Sequence, residues 1–225
     1  MSSMKDRNGQ FKRYWLHPMS LEHIPIIAGW QEHIGDLSLF DRRTPMPVSA
    51  DTMESMWRKS IDDGEPRTCN WFVIDDEEDR TVGLAGLQDI NYVHGDAVLA
   101  ILIARSERRK GIALRSSALL LDLGFHQLRL SRITTYYRAD NEPSRRLTSE
   151  CGFQKEGCIR KGWFVGGRHM DVIVIGILAD EWRMHRKALN VRLDRDIIVS
   201  FRGNTLTNWS WPALEETERV GGKSV

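Results

Sequence analysis

The densest chemistry in this chain lies between residues 98 and 128. Arg108, Arg109 and Lys110 stand directly before Gly111, and Ile112, Ala113 and Leu114 follow it. Three cations and a glycine ahead of an apolar-periodic segment describe a place for an anion. The first N–H groups of a helix have no intrahelical partner and sit at the positive end of its dipole. Glycine lets the backbone approach a ligand closely. Guanidinium and ammonium groups add charge-assisted hydrogen bonds to phosphate oxygens. A second polar pair, Asn141 and Ser144, stands where a short helix would begin. Asn141 reads as an N-cap, a ligand contact, or both. Asp89 is the only acid between Gln88 and His94. A carboxylate at a strand end can act as a general base; it can equally form a turn by bonding the backbone of Asn91. His94 could titrate near neutrality, although a histidine on a turn surface is the plainer reading.

The elements that would position these groups can be read from periodicity. Val98 opens an apolar run through Leu99, Ala100, Ile101, Leu102 and Ile103, a buried strand. After the charged turn, Leu114, Ala118, Leu121, Phe125 and Leu128 recur at helical spacing. Residues 132–137 form the next strand, and a short helix from Asn141 closes at Cys151-Gly152-Phe153. A hairpin follows over 153–164 and 168–178, turning at Val165-Gly166-Gly167, and 179–189 continues as a helix.

Upstream, residues 14–17 are a strand. Ser20 caps a helix carrying Leu21, Ile24, Ile27 and Trp30, with Gly35 as its stop. Residues 36–47 are a loop holding Phe40, Arg42, Arg43, Pro45 and Pro47. Ser49 or Asp51 caps a second helix reaching Ile61. Two strands, 69–75 and 81–90, flank the acidic turn Asp76-Glu77-Glu78-Asp79, with Gly83 and Gly86 as bulge positions. The order implies an α/β fold: a mixed, mostly antiparallel sheet with helices on both faces.

A length of 225 residues suits one domain with an appendage. Apolar content of 41% is enough for a core, and 28% charged residues describe a soluble chain. The net charge of +1 gives no basic excess that would call for nucleic acid. Apolar runs fall far short of the roughly 18 residues a membrane span needs, and residues 1–12 read as a polar, disordered lead-in. Three cysteines, Cys69, Cys151 and Cys158, read as reduced core thiols of a cytoplasmic protein. No spacing suggests a metal site. Residues 190–225 form a C-terminal arm. Its apolar stretch, 197–211, reads as a hairpin turning at Gly203-Asn204, with Trp209 and Trp211 packed on the domain or on a second subunit as a homodimer. Residues 221–225 read as a disordered end.

Arg108-x-x-Gly111-x-Ala113 between an apolar strand and a long helix resembles the acetyl-coenzyme A motif of the GNAT superfamily of N-acetyltransferases. Asn141-x-x-Ser144 followed by Gly152-Phe153 resembles the end of that family's cofactor half. Glu156-Gly157, Gly166-Gly167-Arg168, Asp171-Val172 and Ile177-Leu178 resemble the branch holding ribosomal-protein N-terminal and spermidine acetyltransferases. The likeness covers roughly residues 14–185 within a domain of 13–189.

The resemblance implies an enzyme using acetyl-coenzyme A and no metal. The strand carrying Ile101, Leu102 and Ile103 would hold the pantetheine arm. Arg108, Arg109, Lys110, Gly111, Ile112, Ala113 and Leu114 would hold the diphosphate, and Asn141 and Ser144 would lie near the pantetheine. The chain departs from the family at two places. Many members carry a tyrosine as general acid where this chain has Thr148, and a glutamate where it has Val98. Tyr136 or Tyr137 could supply the proton instead. Asp89 falls where the resemblance would put an amine-facing carboxylate. Three functions stay open: acetylation of a small-molecule amine such as a polyamine or amino sugar, acetylation of a protein N-terminus or lysine, and coenzyme A binding without turnover.

Overall fold

A computed structural model describes residues 11–32, 34–40, 42, 48–61, 64, 66–203 and 209–213. The expected lead-in up to residue 10, Arg43, Pro45, Pro47, Asn204 and residues 221–225 lie outside the described residues. In chain order the elements are β1 (Lys12–Pro18), α1 (Ile24–Gln31), α2 (Ile34–Phe40), α3 (Ala50–Ile61), β2 (Asn70–Asp75), β3 (Thr81–Asn91), β4 (Asp96–Ile103) and α4 (Ile112–Asp122). Then follow β5 (Arg132–Arg138), α5 (Glu142–Glu150), β6 (Gln154–Val165), β7 (Arg168–Leu178), α6 (Ala179–Arg192), β8 (Ile197–Phe201) and β9 (Ser210–Trp211).

The strands join in one sheet, ordered β6-β7-β5-β4-β3-β2-β1-β8-β9. Pairing is antiparallel except between β4 and β5 and between β1 and β8. Period-2 alternation sorts side chains to the two faces. Trp71 and Val73 of β2 meet Ile24, Ile27 and Ala28 of α1 and Met53 and Trp57 of α3. Phe72 and Ile74, which alternate with them along the strand, belong to the opposite cluster with α4, Trp182 of α6 and Trp211 of β9. Both faces are thus covered, which a sheet with parallel pairs requires. Among the described residues no helix is long and apolar enough to cross a membrane.

Four local expectations need correcting. The first long helix breaks after Gln31 rather than at Gly35, which lies inside α2; Phe40 is therefore helical. Gly86 is not a bulge, since β3 shifts register only beside Gly83, where Ile74 faces Gly83 and Asp75 faces Thr81, and between Gln88 and Asn91 on its β4 side. Gly86 instead makes room: a Cβ there would meet the Trp71 ring at 2.4 Å. The charged turn after β4 contains a short 3-10 turn (Arg105–Glu107), and α4 gives way to a π turn at Leu123. Finally, only Cys151 is a core thiol, its pKa pushed up to about 12 by burial. Cys158 is exposed because β6 is an edge strand, and Cys69 is half-buried.

The C-terminal arm is part of the sheet. β8 runs parallel to β1, with Tyr14 opposite Val199, and β9 pairs antiparallel with β8. Trp211 is fully buried, its ring 5.6 Å from that of Trp182.

Candidate active site

The site grows from the way β4 parts from its neighbour. β4 pairs with β3 from end to end, yet among the described residues it pairs with β5 only where Asp96, Ala97 and Val98 face Arg132, Ile133 and Thr134. Beyond Val98 the two parallel strands diverge. The cleft between them is lined by Val98, Leu99, Ala100 and Ile101 of β4, Thr135, Tyr136 and Tyr137 of β5, and Ser144, Leu147 and Thr148 of α5. Gln88 of β3 and Leu39 and Phe40 of α2 close its other side. A strand edge without a protein partner can pair with the amides of an extended ligand.

At the end of β4 the chain builds an anion seat. Arg109 and Gly111 both adopt left-handed backbone, with φ of 65° and 80°, and Gly111 is the N-cap of α4. The N–H groups of the next turn have no intrahelical acceptor. The cations play a different part from a simple charge cluster. The Arg108 Nε donates to the Ile103 carbonyl at 3.0 Å, and the Lys110 Nζ donates to Glu107 Oε2 at 2.8 Å. Both side chains brace the loop, while Arg109 is exposed.

Across the cleft, Asn141 is buried and caps α5, its Oδ1 accepting from the Ser144 N–H at 3.2 Å. Thr148 is buried against the cleft, but its hydroxyl donates to the carbonyls of Ser144 and Arg145, at 2.8 and 3.2 Å. That proton is held by the helix. Tyr137 lines the same cleft, and burial raises its pKa above the ordinary 10.0, with Arg145 opposing and Glu142 adding to the shift. Its phenol therefore stays protonated at neutral pH. The end of β5 is tied to the α2 wall through Arg138, whose Nη1 donates to the Ser38 carbonyl at 2.9 Å and whose Nε donates to Asp140 Oδ1 at 2.6 Å. That hydrogen bond lowers the Asp140 pKa.

The cleft thus brings together Ile101, Ser144 and Thr148, and the loop from Arg108 to Leu114 lies at the end of the same strand. Asp89 stands apart. It sits in the β3 bulge with φ of 51°, its side chain exposed, and Gln88 rather than Asp89 lines the cleft. Leu39 and Phe40 line the cleft from α2, a segment that reads from the sequence as a loop.

The family model for the acetyltransferase (GNAT) domain matches residues 13–154. The chain belongs to the GNAT acetyltransferase family. A spermidine N(1)-acetyltransferase of Vibrio cholerae is 34% identical over 134 residues, covering 60% of this chain and 76% of that protein. A putative ribosomal N-acetyltransferase of Bacillus subtilis is 31% identical over 100 residues, 44% of this chain and 55% of that one. Among solved structures, the Vibrio cholerae spermidine N-acetyltransferase in complex with coenzyme A and spermine superposes with a TM-score of 0.68 at 28% identity, over 76% of this chain and 98% of that one. This GNAT chain is an acyltransferase of the N-acetyltransferase class.

Proposed function

We propose that the chain moves the acetyl group of acetyl-coenzyme A to a primary amine of a small molecule, with polyamines as the leading acceptor class, by direct attack in a ternary complex. The observation that carries the reading is the divergence of β4 from β5 next to the left-handed cap of α4. The pantetheine arm pairs along Leu99, Ala100, Ile101, Leu102 and Ile103, with Asn141 and Ser144 facing it. The diphosphate sits on the loop from Arg108 to Leu114. The residues present fit this cofactor: an apolar edge for the arm and a helix N-terminus for the anion. The neutral amine attacks the thioester carbonyl, the C–S bond breaks, sulfur leaves as thiolate, and the amine nitrogen gives up a proton. Holding the two reactants together supplies most of the rate.

Spermine in the related Vibrio cholerae structure supports a polyamine acceptor. The ribosomal relative supports a second reading, acetylation of a protein N-terminus. A screen of acetyl-coenzyme A consumption over polyamines, amino sugars and short peptides separates them. Turnover on spermidine or spermine is the expected result, and turnover on peptides alone would replace the first reading with the second. A dodecameric form of the Vibrio cholerae enzyme supports an oligomer here as well.

Tyr137 is the group we assign to protonate the leaving thiolate, since the Thr148 hydroxyl is already bonded within α5. Tyr137→Phe should lower kcat on the order of 10²-fold, leave KM for acetyl-coenzyme A unchanged, and abolish the alkaline limb of the pH profile. Because the Tyr137 pKa is raised, that limb in the parent enzyme falls above the ordinary phenol value of 10.0. An unchanged kcat in the variant removes Tyr137 from the mechanism.

Asp89 is testable on its own. As a base reached through one water it requires Asp89→Asn to lower kcat/KM about 10²-fold. Its exposed place in the bulge favours a backbone role, for which a change below about threefold is expected.

A further inference from the structure

The buried residues of α4 are apolar or small except Arg115 and Asp122, and Arg115 stands one turn in from Gly111. Its side chain is only 3% exposed. Local physics opposes this. A cation in the first turn of a helix faces the wrong end of the dipole, and a buried guanidinium with an unmet donor is costly. Among the described residues its Nε has no hydrogen-bond partner. Burial lowers its pKa, against the pull of Asp194 and Asp196.

The remaining donors explain where it points. The Arg115 Nη1 donates to the Gly111 carbonyl at 3.3 Å, and its Nη2 donates to the carbonyl and Oδ1 of Asp194 at 2.7 and 2.9 Å. Asp194 lies between α6 and β8, outside the residues matched by the family model. Its Oδ1 also accepts from the Asp196 N–H, and the Asp196 carbonyl accepts from the Lys12 N–H of β1 at 2.9 Å. One guanidinium therefore connects an anchored turn of the C-terminal arm to the residue that caps α4. Holding the Gly111 carbonyl inward keeps the left-handed cap and leaves the following N–H groups free to face an anion.

We propose that Arg115, held by Asp194, is a positioning residue for the diphosphate of coenzyme A, so that an arm outside the family domain sets cofactor affinity. The proposal rests on the cofactor reading given above. Calorimetry with two probes tests it: coenzyme A, and pantetheine, which lacks the diphosphate. Arg115→Gln should weaken coenzyme A about tenfold and leave pantetheine unchanged. Asp194→Ala, at a side chain 66% exposed, keeps the fold and should weaken coenzyme A alone by about threefold, since its exposed charge is screened and its hold on Arg115 is what is lost. Should Arg115→Gln fail to fold, the Asp194→Ala comparison decides. Equal weakening of both probes, or no change in either, overturns the proposal. A parent protein that binds pantetheine as tightly as coenzyme A would instead overturn the diphosphate site itself, a separate failure visible before any substitution is made.

Discussion

A Gly111→Val protein is expected to bind coenzyme A at least about 100-fold more weakly than the parent, a loss of about 2.7 kcal/mol. Two effects combine. Gly111 holds φ of 80°, and valine in that left-handed region carries strain on the order of 1–3 kcal/mol. A Cβ there would also lie 2.5 Å from Arg115 Nη1. The guanidinium is buried and tied to the Asp194 turn, so the loop rather than the arginine must move. When the cap leaves the left-handed region, the N–H groups that follow no longer converge on one anion. The strain acts on the fold as well, so melting should fall by about 2–12 °C, at about 2–4 °C for each kcal/mol in a chain of this size. Calorimetry showing parent-like affinity in a folded Gly111→Val protein would remove the diphosphate from this loop.

That loop was legible because its signal is local: an apolar strand, a left-handed glycine and a helical period all fall within about 30 residues. The mixed, mostly antiparallel sheet was legible from the same kind of pattern, since β1 to β5 pair in sequence order, but the place of β7 between β5 and β6 was not. What escaped depends on distant pairing. Nothing in residues 197–201 shows that they will lie parallel to residues 12–16. Gly86 reads as a bulge until Trp71 is seen across from it. Asp89 and Gln88 are adjacent in sequence, and a bulge in β3 decides which of them lines the cleft. Arg115 and Asp122 did leave a trace, as two charges on a helix whose other buried residues are apolar or small. Their partners, Asp194, Trp182, Arg186 and Trp211, lie 60 or more residues away, and periodicity carries no distance information of that kind.

Asp122 is where the second large effect is expected, this time on stability. Its carboxylate is 3% exposed and accepts four hydrogen bonds. The Trp182 indole donates to Oδ1 and the Trp211 indole to Oδ2, each at 2.9 Å. The Arg186 guanidinium donates to both oxygens, at 2.8 and 2.9 Å, and its charged end lies 5.1 Å from the centre of the Trp211 ring. One side chain at the end of α4 therefore joins α6 and β9. Asp122→Ala strands two buried indole N–H groups and leaves Arg186 without its counter-charge. Breaking a buried ion pair in this way costs about 3–5 kcal/mol, which in a chain of this length lowers Tm on the order of 10 °C. Trp211→Phe keeps most of the apolar burial and removes a single donor, so about 1–3 kcal/mol is expected. In the double variant the penalties should fall short of additive, because the Trp211 donor is already lost. The loss should also reach the site. α4 begins at Gly111, and the arm that Asp122 anchors carries the Asp194 turn that holds Arg115. A Tm within a degree or two of the parent in Asp122→Ala would show that the arm is held by apolar packing alone, with the carboxylate incidental to it.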